Sequence, residues 1–230
     1  MSTAPMREEI CRVGRSLFER GYVHATAGII SVRLNADEGG GFLITPTDAC
    51  LGFLKPDRLA QLDEKGVQIG GDRASKTIML HRLIYQATAE AGAPARCIIH
   101  THSHHCVLLT LGKLIQQTVH GRELLPALTP YFVMKVGHVP LMAYARPGDP
   151  ELAAQVQQTI ARYSAANIPL RAVMLARLGP NVWHDSPAQA MATLEELEET
   201  ARLWQQCNGT AEPLSHAQLE ILRSEFGAIW

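Results

Sequence analysis

A disulfide framework is missing from this sequence. Its five cysteines, Cys11, Cys50, Cys97, Cys106 and Cys207, are odd in number, scattered and without a CxxC pair, which argues for reduced thiols and against a Cys-type zinc site. A charge imbalance is missing too. The 21 Lys and Arg against 22 Asp and Glu leave a formal net charge of −1, so no general attraction to nucleic acid or anionic membrane is expected. No uninterrupted apolar run approaches the roughly 20 residues of a membrane span, and Met1 to Glu9 lacks the apolar core of a signal peptide. Internal repeats, low-complexity tracts and linkers are also wanting. The expectation is a cytoplasmic protein without nucleic-acid or membrane partners. With 230 residues, 47% of them hydrophobic, the chain can bury one continuous core as a single domain, 1–230.

Histidine is where the sequence is rich. His100, His102, His104 and His105 fall within six residues, directly after the apolar run Cys97-Ile98-Ile99. Side chains alternate faces along a strand, so a strand over Cys97–His102 projects His100 and His102 to one side, where two imidazoles can share a divalent metal ion. Catalytic metal sites usually take three protein ligands and keep one position open. A histidine-rich surface turn without metal is the other reading.

The remaining periodicities mix helix and strand. Ile10, Val13, Gly14, Leu17 and Phe18 predict an amphipathic helix over 7–21, opened by Glu8 and Glu9 and stopped at Gly21. Ile29 to Leu34 and Gly41 to Thr45 read as a hairpin about Gly39-Gly40-Gly41, and Thr45-Pro46-Thr47 as a loop exposing hydroxyls and amides. A helix over 76–91 is expected to bury Met79, Leu80, Leu83, Ile84 and Ala87, with His81 beside that stripe. Further helices are read from His104, with Val107, Leu108 and Leu111 as the apolar face, over 151–163, and over 188–206, where Glu195, Glu196, Glu198 and Glu199 form a solvated face. Ala172 to Leu175 reads as a buried strand, and Ser215 with Gln218 as the capping box of a final helix. Together these point to a layered α/β domain.

Several segments carry a resemblance. Arg12 to Tyr22, Thr45 to Gly52, Thr129 to Gly137, Arg146 to Asp149 and Glu195 to Thr200 are similar to the class II aldolase/adducin superfamily, most of all to its 3-oxo-tetronate 4-phosphate decarboxylase branch. The resemblance implies a three-layer α/β/α fold with a largely antiparallel central sheet, and a cyclic homotetramer with active sites at subunit interfaces. It also implies a divalent metal, typically zinc, held by three histidines, which stabilises the enediolate left when a carbon–carbon bond breaks. His100 and His102 match the first two metal ligands. Tyr131 matches a catalytic proton donor, or is a core aromatic with a satisfied hydroxyl. Gly28, Thr45, Thr47, Ser75 and Lys76 match phosphate-side positions, although loop and cap roles would also suit them.

Three positions depart from the pattern. Thr77 stands at the catalytic position where the family has an acidic residue, four before His81, and a neutral hydroxyl is no carboxylate base. Leu178 replaces the third metal histidine, and Ile29 replaces an asparagine that helps hold phosphate. The metal is therefore expected to bind weakly or not at all unless His81, His104, His105, His120 or His138 is recruited. Two functions stand: a carbon–carbon lyase acting on a sugar-acid phosphate or related hydroxy-carbonyl compound, and a non-catalytic binding or regulatory member that keeps the oligomeric scaffold. Ile29 and Leu178 also make the expected cavity more apolar, which would suit a less polar substrate of the lyase.

Overall fold

The computed structural model describes residues 3–112, 116–118 and 121–230. In chain order the elements are α1 (Ala4–Glu19), β1 (Ile29–Arg33), β2 (Phe42–Ile44), β3 (Ala60–Leu62), β4 (Gln68–Gly70), α2 (Ile78–Glu90), β5 (Cys97–His100), α3 (His104–Leu111), β6 (Gln116–Thr118), β7 (Gly121–Glu123), α4 (Pro130–Lys135), β8 (Leu141–Met142), α5 (Pro150–Ala165), β9 (Ala172–Leu175), β10 (Gly179–His184), α6 (Pro187–Gln206) and α7 (His216–Phe226). Eight strands form one sheet in the order β4-β3-β2-β1-β5-β10-β9-β8. Every neighbouring pair is antiparallel except β8 with β9.

Alternation along the strands builds two cores. Ile30, Val32, Cys97, Ile99, Met174 and Val182 face one way, onto α1, α3, α4 and α6. Ile98, Val173, Leu175 and Trp183 face the other way, onto α2 and α5. The result is the expected three-layer α/β/α arrangement around a largely antiparallel sheet. No described helix is long and apolar enough to cross a membrane, and all five cysteines are free thiols.

Several elements depart from what local sequence predicts, each for a physical cause. Helix α1 begins a turn earlier than predicted, with Pro5 in its first turn, where the missing N–H is no loss; Glu8 and Glu9 are therefore not its opening residues. In α2 the buried stripe is Ile78, His81, Ile84, Tyr85, Ala87 and Thr88, so His81 takes a core position and Met79 is 65% exposed. In α3 the seam is Cys106 and Leu109, while Leu108 and Leu111 face outward. The loop hydroxyl of Thr45 is fully buried. The capping box of Ser215 and Gln218 opens α7 as read.

Candidate functional site

The strand ends at His100, not at His102, and the two imidazoles meet across the bend with ring centroids 5.3 Å apart. By register His100 lies between Ile29 of β1 and Asn181 of β10. All three share strand parity with residues of the α2/α5 face, as does Ser31. The start of β1, the end of β5 and the start of β10 thus converge at one end of the sheet. Beyond the strand, Thr101 and Ser103 are buried and hydrogen-bond one another through their hydroxyls, while His102 is exposed. The ring of His24, from the loop before β1, stands 6.4 Å from that of His102. Nothing in the sequence marked His24, 76 positions earlier by subtraction from His100.

Glu198 fixes the start of α3. Its Oε1 accepts from the His105 amide at 2.8 Å and its Oε2 from the Cys106 amide at 3.0 Å, satisfying two open donors of the helix N-terminus with a carboxylate. Glu198 is buried, contrary to the predicted solvated face; of the four glutamates only Glu199 is exposed. His105 is committed elsewhere, its Nδ1–H donating to Gln205 Oε1 at 2.8 Å. His138 pairs with buried Glu123 at 2.8 Å and stacks on Trp230. His104 is exposed, and His120 lies outside the described residues.

The donor set does not fit a three-histidine metal centre. Among the described residues no group of three or more His, Cys, Asp or Glu side chains is placed to hold a metal ion. Leu178 sits in the tight turn between β9 and β10 and packs with Ile29 against the α2/α5 core. That turn is clamped to the histidine loop: Thr101 donates to the Pro180 carbonyl at 3.3 Å, and a Cβ on Gly179 would lie 1.9 Å from the Thr101 carbonyl oxygen.

The phosphate-side positions gather beside this point. Gly28 has φ +96°, and a Cβ there would meet Val23 Cγ1 at 2.8 Å and Leu51 Cδ1 at 2.9 Å, so only glycine suits the approach into β1. The Ile30 amide donates to Thr45 Oγ1 at 3.2 Å. Thr47 donates to the Arg73 carbonyl, and Pro46 bridges to Ala74, which joins the 45–47 loop to the 73–77 segment. There the Thr77 amide donates to the buried Ser75 hydroxyl at 3.3 Å, and Lys76 is exposed. Gly28, Thr45, Thr47, Ser75, Lys76 and Thr77 are thereby brought together near His100. Tyr131 is not among them: it is 59% exposed on α4, under the Lys135 ammonium at 5.2 Å, and α4 belongs to the opposite helical layer.

Behind His100 lies a polar cluster within an apolar layer. His81 Nδ1 is 2.7 Å from Ser31 Oγ, Ser31 Oγ is 2.8 Å from Tyr85 OH, and Tyr85 OH donates to the Ser31 carbonyl at 2.9 Å. Three contacts share three hydrogens only if Tyr85 donates to the carbonyl, Ser31 to Tyr85 and His81 Nδ1–H to Ser31. His81 Nε2 is then a bare lone pair. His100 resolves likewise, since its Nδ1 faces the Pro180 carbonyl at 3.0 Å, which can only accept. Burial pushes His81 down to about 3, helped by His100, with the nearby Asn181 side chain acting the other way. Burial and His102 push His100 down to about 4 against the opposing Pro180 carbonyl. His102, exposed on one side, is lowered by partial desolvation and by His24. These rings are therefore neutral near pH 7.

Asn181 completes the cluster, and its only sequence signal is a lone amide among the apolar residues Gly179 to Trp183. It is fully buried, and among the described residues neither its Oδ1, its Nδ2 nor His81 Nε2 has a partner in hydrogen-bonding geometry.

A three-layer fold with paired histidines at a strand end and hydroxyl-bearing loops alongside has the architecture of the class II aldolases. The chain belongs to the Class II Aldolase and Adducin N-terminal domain family, whose model matches residues 8–205. It is 48% identical over 236 aligned positions to the 3-oxo-tetronate 4-phosphate decarboxylase of Cupriavidus necator, covering both chains completely. It is 37% identical over 198 positions to the enzyme of the same name from Escherichia coli strain K12, covering 86% of this chain and 85% of the relative. Among solved structures, YgbL of Escherichia coli, described as a putative aldolase/epimerase/decarboxylase, superposes with a TM-score of 0.81 at 32% identity, covering 96% of this chain and 98% of that one.

Proposed function

We propose that this chain is a carbon–carbon lyase that decarboxylates a 3-oxo sugar-acid phosphate of the 3-oxo-tetronate 4-phosphate type, as one domain in a homotetramer. The observation that carries the reading is the grouping of His100, Gly28, Thr45, Thr47, Ser75 and Lys76 at one end of the sheet, in a chain 48% identical throughout to a decarboxylase of that name.

Decarboxylation suits the residues better than aldol cleavage does. A 3-oxo acid loses CO2 when the C1–C2 bonding pair moves into the C2–C3 bond and the C3 carbonyl electrons move onto oxygen. The enediolate then takes a proton at C2 and becomes a hydroxy-ketone phosphate. No proton is abstracted at the start, so Thr77 in place of an acid removes a group this first step does not need, whereas aldol cleavage begins by deprotonating a hydroxyl. The chain must bind the phosphate and stabilise negative charge on the C3 oxygen. Lys76 supplies charge and the Ser75 and Thr47 hydroxyls supply donors for the first task, while buried Thr45 holds their loop against β1 through the Ile30 amide. Exposed Tyr131 fits the interface arrangement that the family resemblance implies, in which one copy brings it to another's pocket as proton donor. No step is assigned to a metal, because Leu178 leaves the family's donor set short.

Leu178 and Thr77 favour a second reading, a non-catalytic member that binds such a ligand on the retained scaffold. Steady-state CO2 release separates the two. Lys76→Ala is expected to raise KM about 10-fold with kcat little changed, as loss of one charge-assisted phosphate contact predicts. A release rate no greater than that of the protein-free solution excludes the lyase reading.

A further inference from the structure

Among the described residues, three buried atoms beside His100 have no partner in hydrogen-bonding geometry, His81 Nε2, Asn181 Oδ1 and Asn181 Nδ2, although the Asn181 side chain stands close enough to His81 to favour its charged form. They share one corner. Asn181 is the register partner of His100, and His81 rises from α2 onto the same face with no solvent exposure. The hydrogen count leaves Nε2 of both His81 and His100 as lone pairs, since their Nδ1 atoms donate to Ser31 Oγ and the Pro180 carbonyl. The Asn181 amide adds one donor group and one acceptor. Half-buried Ile29, the register neighbour of His100, and half-buried Leu178, in the turn that leads into the strand of Asn181, pack against the same core.

We propose that Asn181, with the Nε2 atoms of His81 and His100, forms a metal-independent recognition site for a hydroxy-ketone, with the Asn181 amide N–H on the carbonyl oxygen and an imidazole Nε2 accepting from the adjacent hydroxyl. The proposal rests on the lyase reading for the identity of the ligand, and it assigns to Asn181 the polarisation of the carbonyl that a metal ion supplies where three histidines are present. Complementarity is the reason: two lone pairs call for a hydroxyl hydrogen, and the amide N–H calls for an oxygen. An apolar strand neighbour at this register would offer neither. Asn181 and His81 are fully buried, so neighbouring side chains must yield for the ligand to reach the amide, and Ile29 and Leu178, aliphatic and only half-buried, are assigned that movement.

The test is calorimetric titration of the protein, treated with a chelator, with dihydroxyacetone phosphate and with 3-hydroxypropyl phosphate, which keeps the hydroxyl and the phosphate but has a methylene in place of the carbonyl. The wild-type chain is expected to favour dihydroxyacetone phosphate by 10-fold or more. Asn181→Val should erase that preference while leaving the affinity for 3-hydroxypropyl phosphate, which has no oxygen for the amide to meet, within about twofold. Asn181→Asp, of the same shape but without the amide donor, should erase it too, and serves if the valine variant does not fold. The proposal is overturned if the preference survives both substitutions, if dihydroxyacetone phosphate binds only after divalent metal is restored, or if the wild-type chain shows no preference. An ordered water alone on the three atoms would give the first of these results. CO2 release measured beside the titration keeps the two readings apart. Preference without turnover sinks the lyase and keeps the site; turnover with a preference indifferent to Asn181 does the reverse.

Discussion

Gly179→Ala is expected to destabilise the protein by about 4 kcal/mol or more, at the extreme of single substitutions, and to lower Tm by about 10 °C. Two independent effects combine. Gly179 has φ +131°, a conformation that side chains rarely tolerate, and an added Cβ would sit 1.9 Å from the Thr101 oxygen, 2.9 Å from its carbonyl carbon and 3.2 Å from His102 Cα. All three are backbone atoms, so no rotamer change relieves the overlap. The turn bearing Leu178 must lift from the loop bearing His102, breaking the Thr101 to Pro180 hydrogen bond. Gly70→Ala is the control, since Gly70 has no neighbour within 4 Å of an added Cβ and no positive φ. Thermal melts of both variants check the prediction, and a Gly179→Ala shift as small as that of Gly70→Ala would contradict it.

Acid should undo the protein through the same corner of the fold. His81 and His100 are held neutral, at about 3 and about 4, while the unfolded chain titrates near 6.5. Above pH 6.5 both states carry neutral rings and stability is flat with respect to these groups. Below it the unfolded chain takes up two protons that the folded chain refuses, so stability falls as pH falls. Each ring contributes roughly 1.4 kcal/mol per pH unit until its own folded pKa is reached. Between pH 6.5 and 4.5 the loss is about 5 kcal/mol for the pair, comparable with the whole stability of many domains. Denaturant midpoints at the two pH values should converge by about half in His81→Leu, which keeps one of the two rings. Equal pH dependence in wild type and variant would show that His81 is protonated in the fold.

Local grammar carried much of the architecture. The capping box at Ser215, the strand Ala172–Leu175 and the hairpin after Ile29 depend on neighbours in sequence, and the chain folds there as its periodicity dictates. The missed strands are short or disguised: β3 and β4 have three residues each, and β10 opens with Gly-Pro and holds a buried amide. Glu198 read as solvated because its tertiary partners, the amides of His105 and Cys106, lie more than 90 residues away. The site divides along the same line. His100 and His102 are neighbours in sequence, so their adjacency could be read directly. The approach of His24, the burial of His81 and the orphaned amide of Asn181 depend on strand order, which composition and periodicity do not encode.

Carbon-13 NMR of substrate labelled at the carboxylate tests most directly whether this end of the sheet breaks a carbon–carbon bond. With 3-oxo-tetronate 4-phosphate, the carboxylate signal should give way to carbon dioxide and bicarbonate in the presence of the wild-type protein. In His100→Ala the conversion should fall at least 100-fold, a loss of about 2.7 kcal/mol in transition-state stabilisation. A carboxylate signal that broadens on binding yet persists beside stoichiometric wild-type protein would contradict the lyase account and identify a binding protein on an aldolase scaffold.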